Sequence, residues 1–427
     1  MPRGVVAMSK IKIAIDFRVG DPRQGIGTAL LALAYGLSTL TRRDQQYIFL
    51  VNDNCVDWLG PHLSGHCSVV PIAPAPNPPT PPVAQFGGLR QRMKELTAVR
   101  SGVLCLRRWN RKMLDTLRPK EVPSSDGLAE SLGCDMIHFP SQSAYTTNLP
   151  TIYQPWDLQH RHLPQFFSKE EWKRRELVYR SFCKQASVVC VTTEWGKRDL
   201  VKQYRVDPSK IVVVRFGTAF EAYMPPSQSE IDEVRQELGL PQTFLIFPAV
   251  TWPHKNHENL IRGLSVMKEK YGRPVETYFT GAPTELERQL KELTIRLNLQ
   301  DTVHFLGFVS PKQIQAIFRL ATAMVFPSKF EGLGLPVLEA FRAGLPVACS
   351  SATVLPEVAG DGAIFFDPDS PEEIATAIKS LIDSPELRAS LVERGHKVLE
   401  GYSAIAAANQ FADLYDRIVR SAARKLA

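Results

Sequence analysis

Two glutamates eight positions apart, Glu331 and Glu339, form the most informative chemical pattern in the sequence. A carboxylate only accepts hydrogen bonds, so the pair suits hydroxyl groups and would contact a diphosphate poorly. We interpret Glu331 as a contact for sugar hydroxyls and Glu339 as a contact for a ribose diol. The alternative is that Glu339 only complements a helix dipole and that Glu331 is solvated.

The residues between the two glutamates predict an unusual helix start. Gly332 and Gly334 allow the backbone to approach a ligand closely, and Pro336 is typical of the first residue of a helix. The preceding residue is Leu335, which has no side-chain acceptor for the free N–H groups of the first turn. Those groups need another acceptor, and a phosphate would supply it with the support of the helix dipole.

A second polar loop contains Lys255 and follows a predicted strand at residues 244–250. A lysine leaving a strand is a suitable counter-charge for a phosphate, whereas an isolated exposed lysine is usually only solvated. Asn256 can cap the helix that follows. His254 and His257 resemble a metal pair, but no third ligand stands near them in the sequence, so we predict no metal site.

Strand-like apolar runs alternate with amphipathic helical runs in two series, which predicts an α/β protein with two parallel sheets covered on both faces. Ligands of such sheets bind beyond the carboxyl ends of the strands, where both polar loops lie. The predicted strands are residues 12–16, 47–51, 136–139, 151–153, 188–191 and 211–214 in the first series, and 244–249, 276–280, 303–305, 323–326, 346–349 and 363–366 in the second.

The positive charge is concentrated in one stretch. Residues 89–120 contain ten Lys and Arg against two acids, which leaves −1 for the rest of a chain whose formal net charge is +7. Apolar residues recur there at steps of three and four, which favours a basic amphipathic helix. Such a helix binds an anionic membrane surface or another anionic ligand, or it packs its apolar side on the domain. No nucleic-acid-binding signature accompanies it.

The composition narrows the class of protein. A chain of 427 residues predicts two or three domains, and the longest uninterrupted apolar stretch is far below the ~20 residues of a spanning helix. Residues 1–10 lack the apolar core of a secretory signal. Seven cysteines without a C-x-x-C pair fit reduced thiols in a cytosol better than disulfides or a structural zinc site.

Several of these segments together resemble the retaining glycosyltransferases of family 4. Residues 326–339 resemble the E-x7-E segment of that family, and residues 305–309, 343–348 and 355–363 resemble other parts of its C-terminal domain. The N-terminal half resembles the family more weakly, through residues 13–16 and 25–27. The resemblance is dense from about residue 244 to residue 369.

The resemblance implies the GT-B fold, in which two Rossmann-like domains face each other across a cleft. It implies an N-terminal acceptor-side domain at 1–225, a nucleotide-sugar-binding domain at 226–402, and a helix at 403–427 that crosses back. It also implies a nucleotide-diphosphate sugar as donor substrate, with neither metal nor cofactor. Independently of the resemblance, the seven prolines of residues 71–82 exclude a central strand there. With the basic stretch that follows, they predict an exposed excursion from the first domain at 71–120.

By the same resemblance, Glu331 contacts the donor sugar, Glu339 the ribose and Lys255 the diphosphate. A larger group is expected to line the donor and acceptor sides of the cleft. The donor-side residues are Gly332, Gly334, Leu335, Phe308, Val309 and His254, and the acceptor-side residues are Gly25, Gly27, Trp156 and Asp157.

The sequence departs from the family at two positions. Val250 stands where many relatives have an arginine, so either one cation fewer weakens diphosphate binding or Arg215 or His254 replaces that cation. Trp156 stands where many relatives have a histidine before an aspartate. Either His160, our catalytic candidate, or His162 takes that role, or the acceptor side of this protein is shaped differently. Both histidines could equally be structural.

We therefore expect a retaining glycosyltransferase that moves a GDP- or UDP-linked hexosyl group, such as mannosyl, to a hydroxyl of a saccharide or lipid-linked saccharide. Cell-surface polysaccharide or glycolipid synthesis at the inner face of the cytoplasmic membrane would fit residues 89–118. The alternatives are an acceptor-free epimerase or hydrolase of the same fold and a non-catalytic nucleotide-sugar or glycan-binding module.

Overall fold

A computed structural model describes residues 10–18, 25–42, 44–72 and 122–426. Most of the excursion, including the basic stretch at 89–118, lies outside the described residues. The strands are β1 (Ile11–Phe17), β2 (Gln45–Asn52), β3 (Cys67–Ile72), β4 (Met136–Phe139), β5 (Thr151–Tyr153), β6 (Val188–Val191), β7 (Ile211–Val213), β8 (Leu245–Pro248), β9 (Thr277–Thr280), β10 (Val303–Gly307), β11 (Ala323–Phe326), β12 (Val347–Ser350) and β13 (Ala363–Phe366).

Helices separate most consecutive strands, as the alternating pattern predicts. They are α1 (Ile26–Thr39), α2 (Val56–Leu59), α3 (Leu128–Ser131), α4 (Gln159–His162), α5 (Lys169–Gln185), α6 (Glu194–Tyr204), α7 (Gln228–Glu237), α8 (His257–Tyr271), α9 (Glu285–Arg296), α10 (Pro311–Leu320), α11 (Leu335–Arg342), α12 (Leu355–Ala359), α13 (Pro371–Asp383), α14 (Pro385–Leu399) and α15 (Ala404–Leu426).

The strands form two parallel sheets, which confirms the predicted fold class. The first sheet has the order β3-β2-β1-β4-β5-β6-β7, and the second has the order β10-β9-β8-β11-β12-β13. We call the first sheet with its helices the N-terminal lobe and the second the C-terminal lobe. In both sheets the order reverses beside the first strand, between β1 and β4 and between β8 and β11, and such a reversal is where ligands bind.

The strand β3 was not predicted. It lies at the edge of the first sheet, where Pro71 is opposite Val51 of β2. A proline cannot donate a hydrogen bond, so it is confined to edge positions of a sheet. The proline-rich stretch therefore begins inside an edge strand, in agreement with our expectation that it is not a central strand.

The final helix packs on the N-terminal lobe. The side chain of Gln45 donates to the carbonyl oxygen of Ala412 at 2.9 Å, and the Tyr415 hydroxyl lies 2.8 Å from Nδ1 of the fully buried His138. The helix α15 also lies along α1. The exact domain limits at 225 and 402 stay a prediction.

The contact between α1 and α15 can be tested at Gly36. A Cβ added at Gly36 would lie 2.3 Å from the carbonyl oxygen of Ala404, a backbone atom that cannot move aside alone. Glycine to alanine inside a helix usually stabilises by about 1 kcal/mol. Here we expect Gly36→Ala to destabilise by about 1–3 kcal/mol through overpacking, measured by urea unfolding.

Gly60→Ala is the matched control for this prediction, because no atom lies within 4 Å of a Cβ added there. Its unfolding free energy should change by no more than about 0.5 kcal/mol. A stabilising Gly36→Ala would show that α15 does not press against α1.

Candidate functional site

Lys255 and Glu331 meet at the reversal point of the second sheet. Lys255 follows β8 and Glu331 follows β11, and these two strands are neighbours. The Lys255 Nζ lies 2.6 Å from Glu331 Oε1. Because the two side chains are only 19% and 11% exposed, the pair is a largely desolvated charge pair at the position where this fold binds ligands.

An amide side chain ties the two loops together. Nδ2 of Asn256 donates to the carbonyl oxygens of Pro327 at 3.0 Å and Pro368 at 2.7 Å, and the N–H of Lys329 donates to the carbonyl oxygen of His254 at 2.8 Å. Asn256 precedes α8 with φ 64°, and its side chain makes no capping hydrogen bond. Our prediction that Asn256 caps the helix was wrong, because the amide braces neighbouring loops instead.

The helix α11 begins without a side-chain cap, as predicted. Gly334 precedes Leu335 and Pro336 with φ 77°, and no side-chain hydrogen bond caps the helix. A Cβ at Gly334 would also lie 2.7 Å from the side chain of Leu355. Pro336 has no N–H, and the N–H of Val337 donates to the carbonyl oxygen of Gly334 at 2.9 Å. The remaining N–H groups of this helix start need an acceptor, and the helix dipole favours an anionic one.

The loop around Glu331 is held from both lobes. A Cβ on Gly332 would lie 3.0 Å from the carbonyl oxygen of Trp156, and the carbonyl oxygen of Gly332 accepts from the Thr192 hydroxyl at 2.8 Å. The N–H of Glu331 donates to the Thr353 hydroxyl at 3.2 Å. Sequence reasoning missed Thr192 and Thr353 because no motif marks either residue. It also took the small size of Gly332 only as access for a ligand.

Glu339 lies in the second turn of α11 and is partly buried. Burial raises the pKa of its carboxyl to about 7. Burial raises the pKa of the nearby Tyr223 phenol, and the charge of Glu339 raises it further. A carboxyl that is costly to ionise is ready to accept hydrogen bonds from ligand hydroxyls, which would compensate its lost hydration.

Asp157 of the N-terminal lobe lies next to the Glu331 loop, because its Cβ would be 3.3 Å from a Cβ added at Gly332. Burial raises the pKa of the Asp157 carboxyl, with a further contribution from Glu331, while the N–H of Gln159 and the charges of Arg175 and Lys255 oppose the rise. Asp157 is therefore within electrostatic range of both members of the pair. The structure brings Asp157, Glu331 and Lys255 together, although their proposed roles remain predictions.

The two candidate histidines occupy different environments. His160 is fully buried, its Nε2 lies 2.9 Å from Glu176 and 3.0 Å from the Tyr204 hydroxyl, and burial lowers its pKa to about 4. His162 contacts both Asp199 carboxylate oxygens at 2.9 Å, and its ring lies 5.2 Å from that of Phe330 in the other lobe. His162, and not His160, therefore lies beside the loop that carries Glu331.

Trp156 points away from the cleft. Its indole is 6% exposed, donates to the carbonyl oxygen of Pro140 at 2.8 Å, and packs 5.3 Å from the ring of Phe216. Its backbone has φ 66°, a costly conformation for a bulky residue. The side chain thus packs in the core, while the carbonyl oxygen of Trp156 approaches Gly332 of the opposite lobe.

Of the two candidate replacement cations, neither provides a second charge next to Lys255 in this structure. Burial lowers the pKa of His254 to about 4, and the charge of Lys255 lowers it further, so the imidazole is neutral at pH 7. Arg215 is exposed and lies over the ring of Tyr402, 5.9 Å from its centre.

The other predicted site residues lie at loop ends around the cleft. Gly25 precedes α1 with φ 45° and no side-chain cap, and Gly27 is buried in the first turn. The adjoining residues 19–24 lie outside the described residues. Phe308, 48% exposed, and Val309, partly buried, follow β10 at the edge of the second sheet.

The described residues contain no group of three or more His, Cys, Asp and Glu side chains that is arranged to hold a metal ion. Among the helices of residues 10–18, 25–42, 44–72 and 122–426, none is long and apolar enough to cross a lipid bilayer.

Two doubly wound parallel sheets define the fold as GT-B. Solved structures agree. Anabaena Alr3699/HepE in complex with UDP and glucose has a TM-score of 0.68 at 18% identity, covering 95% of this chain and 100% of that one. WaaG, a glycosyltransferase of lipopolysaccharide biosynthesis, has a TM-score of 0.64 at 13% identity, covering 94% and 99%.

The sequence comparison identifies similar proteins. Residues 230–398 match the model of the family Glycosyl transferases group 1. The O-antigen chain mannosyltransferase B of Escherichia coli is 24% identical over 233 residues, 54% of this chain and 61% of that protein. The D-inositol 3-phosphate glycosyltransferase of Corynebacterium kroppenstedtii is 28% identical over 261 residues, 59% and 58%. This chain thus spans about three fifths of the length of these relatives.

The raised pKa of Glu339 predicts a pH-dependent stability. Between its usual value of 4.5 and about 7, the carboxyl is protonated in the folded protein and ionised in the unfolded chain. Stability from this group is therefore present below pH 4.5 and lost as the pH rises through 7. We expect Glu339→Gln to be more stable than the wild type at pH 8, by on the order of 1–3 kcal/mol, with no such gain at pH 4.5.

Thermal unfolding of both proteins at pH 4.5, 6 and 8 measures this difference. Glu258→Gln, a change at an exposed glutamate paired with Arg262 on α8, is the control and should show no gain that grows with pH. A gain for Glu339→Gln that is the same at all three pH values would contradict the raised pKa.

Proposed function

We propose that this protein transfers a hexosyl group from a nucleotide-diphosphate sugar to a hydroxyl acceptor, with retention at the anomeric carbon. The single observation that carries the proposal is the Lys255–Glu331 pair at the reversal point of the second sheet. Glu331 stands on the loop that leads into the uncapped start of α11. A cation and N–H groups suit the diphosphate of a nucleotide sugar, and a carboxylate beside them suits its hydroxyl groups.

In the proposed reaction, the acceptor oxygen forms the new bond to the anomeric carbon while the bond to the leaving diphosphate breaks. The departing diphosphate oxygen takes the acceptor's proton on the same face, so no carboxylate nucleophile is required. Negative charge grows on the diphosphate, and Lys255 together with the N–H groups after Gly334 stabilises it without reorganisation. Glu331 is then released from Lys255 and accepts from the sugar hydroxyls.

Residues of both lobes favour a transferase over an acceptor-free enzyme or a binding module. Asp157 and His162 lie on the N-terminal side of the cleft, opposite the Glu331 loop, where a second substrate would enter. The relatives named above are called mannosyltransferase and glycosyltransferase, which supports the same choice. Product analysis with and without acceptor separates transfer from hydrolysis or epimerisation.

The nucleotide and the sugar are the open part of the proposal. Relatives in sequence are named for mannosyl transfer, and a structural relative was solved with UDP-glucose, so GDP- and UDP-linked hexoses are the two donor classes to test. A donor at 100 times its dissociation constant adds about 2.7 kcal/mol to the unfolding free energy. A thermal-shift panel of UDP-, GDP- and dTDP-sugars therefore identifies the donor, and we expect one nucleotide series alone to raise the melting temperature.

Lys255→Ala tests the proposed catalytic charge. Because one preorganised donor to a developing anion is worth about 10²–10³ in rate, we expect kcat with the identified donor to fall by about that factor. Lys329→Ala is the matched control, since Lys329 lies two positions before Glu331 but pairs with the exposed Asp369. It should keep kcat within about threefold.

Glu331→Ala removes the proposed contact with the donor sugar, and we expect it to lower kcat as well. If Lys255→Ala and Glu331→Ala both transfer at the wild-type rate, the proposed site is wrong. If the wild type binds the donor but gives no product with any acceptor or with water, the binding-module alternative replaces the transferase.

We also propose that residues 89–118 hold the enzyme at an anionic membrane face, where a lipid-linked acceptor would lie. The support is the net charge of +8 on residues 89–120 with apolar residues at helical steps. In a flotation assay with phosphatidylglycerol-containing vesicles, we expect binding at low salt and its loss at 0.5 M NaCl. Absence of binding at both salt concentrations, or equal binding to neutral vesicles, would contradict an electrostatic membrane contact.

A further inference from the structure

A carboxylate of the C-terminal lobe caps a helix of the N-terminal lobe. Glu357, in α12, accepts the N–H of Glu194 on Oε1 at 2.6 Å and the N–H of Trp195 on Oε2 at 2.8 Å. These are the first two residues of α6. The helix's own cap, Thr193, uses its hydroxyl for the third N–H, that of Gly196, at 3.0 Å. The start of α6 is thus completed by a residue from the opposite lobe.

The helix α6 carries the groups that meet the Glu331 loop. Thr192, just before the helix, donates to the carbonyl oxygen of Gly332. The Trp195 ring lies 5.8 Å from that of Phe330. Asp199, on the same helix, holds His162 against Phe330. A shift of α6 away from the C-terminal lobe would therefore displace each of these contacts.

The two chain crossings between the lobes meet at a separate place. A Cβ on Gly217 would lie 2.2 Å from the backbone nitrogen of Ala404. The Glu221 carboxylate accepts that N–H at 3.0 Å and pairs with Arg342, at the end of α11, at 3.1 Å. The lobes are thus joined at the crossings by backbone contact and at α6 by side-chain contacts that can separate, which is the arrangement of a hinge and a closing contact.

We infer that Glu357 is a positioning residue for transfer. This role in transfer rests on the proposed function, whereas the contact between the lobes does not. The carboxylate on the start of α6 fixes the closed arrangement that places His162 and Asp157 opposite the Lys255–Glu331 pair. The contact combines two charge-assisted hydrogen bonds with the dipole of the helix. No atom of Glu357 needs to touch either substrate.

Hydrogen exchange and small-angle scattering of the full-length protein test the contact without any substrate. In Glu357→Ala, the amides of Glu194 and Trp195 lose their acceptors, so we expect their exchange to be at least tenfold faster and the radius of gyration to rise. Glu357→Gln keeps one acceptor oxygen and should be intermediate. Glu393→Ala, at an exposed glutamate of α14 paired with Lys397, is the control and should change neither quantity.

Kinetics of the same variants separate positioning from donor binding. We expect Glu357→Ala to lower kcat by about tenfold to a hundredfold while the dissociation constant for the free nucleotide stays within about twofold, with partial rescue in Glu357→Gln. Unchanged exchange, an unchanged radius of gyration, or a wild-type kcat in Glu357→Ala would each overturn the inference. A wild type without transfer would refute the proposed function, while the exchange and scattering results would still decide whether Glu357 closes the lobes.

Discussion

Lys255 and Glu331 are 76 residues apart in sequence. Their ion pair exists only because β8 and β11 are neighbours across the reversal point of the second sheet. Each partner leaves the carboxyl end of its strand, and Asn256 braces both loops. Two charges that are mostly removed from water need each other, because an unpaired charge there would be costly. The pair is therefore stable when no ligand is bound, and under the proposed function a diphosphate would compete with Glu331 for Lys255.

Most of the fold was predictable from hydrophobic periodicity. Twelve strands were predicted close to their observed positions, because a strand covered on both faces is a short, nearly continuous apolar run. The exception was β3, which follows Gly65 and His66 and ends in Pro71 and Ile72. Its residues are only partly buried, as expected for an edge strand. The prolines that begin at Pro71 argued against a central strand, and an edge strand tolerates proline.

The site was predictable to the level of loops but not of side-chain partners. Position after a strand was enough to bring Lys255 and Glu331 to one cleft, and the family resemblance added Asp157 on its acceptor side. It could not tell that His160 turns inward to Glu176 while His162 turns outward, since the two are neighbours on one short helix. Nor could it find that Glu357 binds backbone N–H groups, because a backbone partner in another lobe leaves no signature in the sequence.

Two strained residues explain how the Glu331 loop keeps its place before any ligand binds. Trp156 of the N-terminal lobe and Thr353 of the C-terminal lobe both have left-handed backbones, with φ 66° and 54°, although neither is a glycine. Such conformations cost about 1–3 kcal/mol each and persist only where surrounding contacts compensate. The carbonyl of Trp156 approaches Gly332, and the hydroxyl of Thr353 accepts from the N–H of Glu331.

The two contacts restrain adjacent residues of the loop from opposite sides. A Cβ at position 332 would be pressed against Trp156, so the requirement for glycine arises from the opposite lobe and not only from a ligand. Under the proposed function, a loop fixed in this way would spend no binding energy on ordering its glutamate when the donor binds, because its reorganisation is completed during folding. The strain in Trp156 and Thr353 is therefore the cost of holding the Glu331 loop in a fixed position.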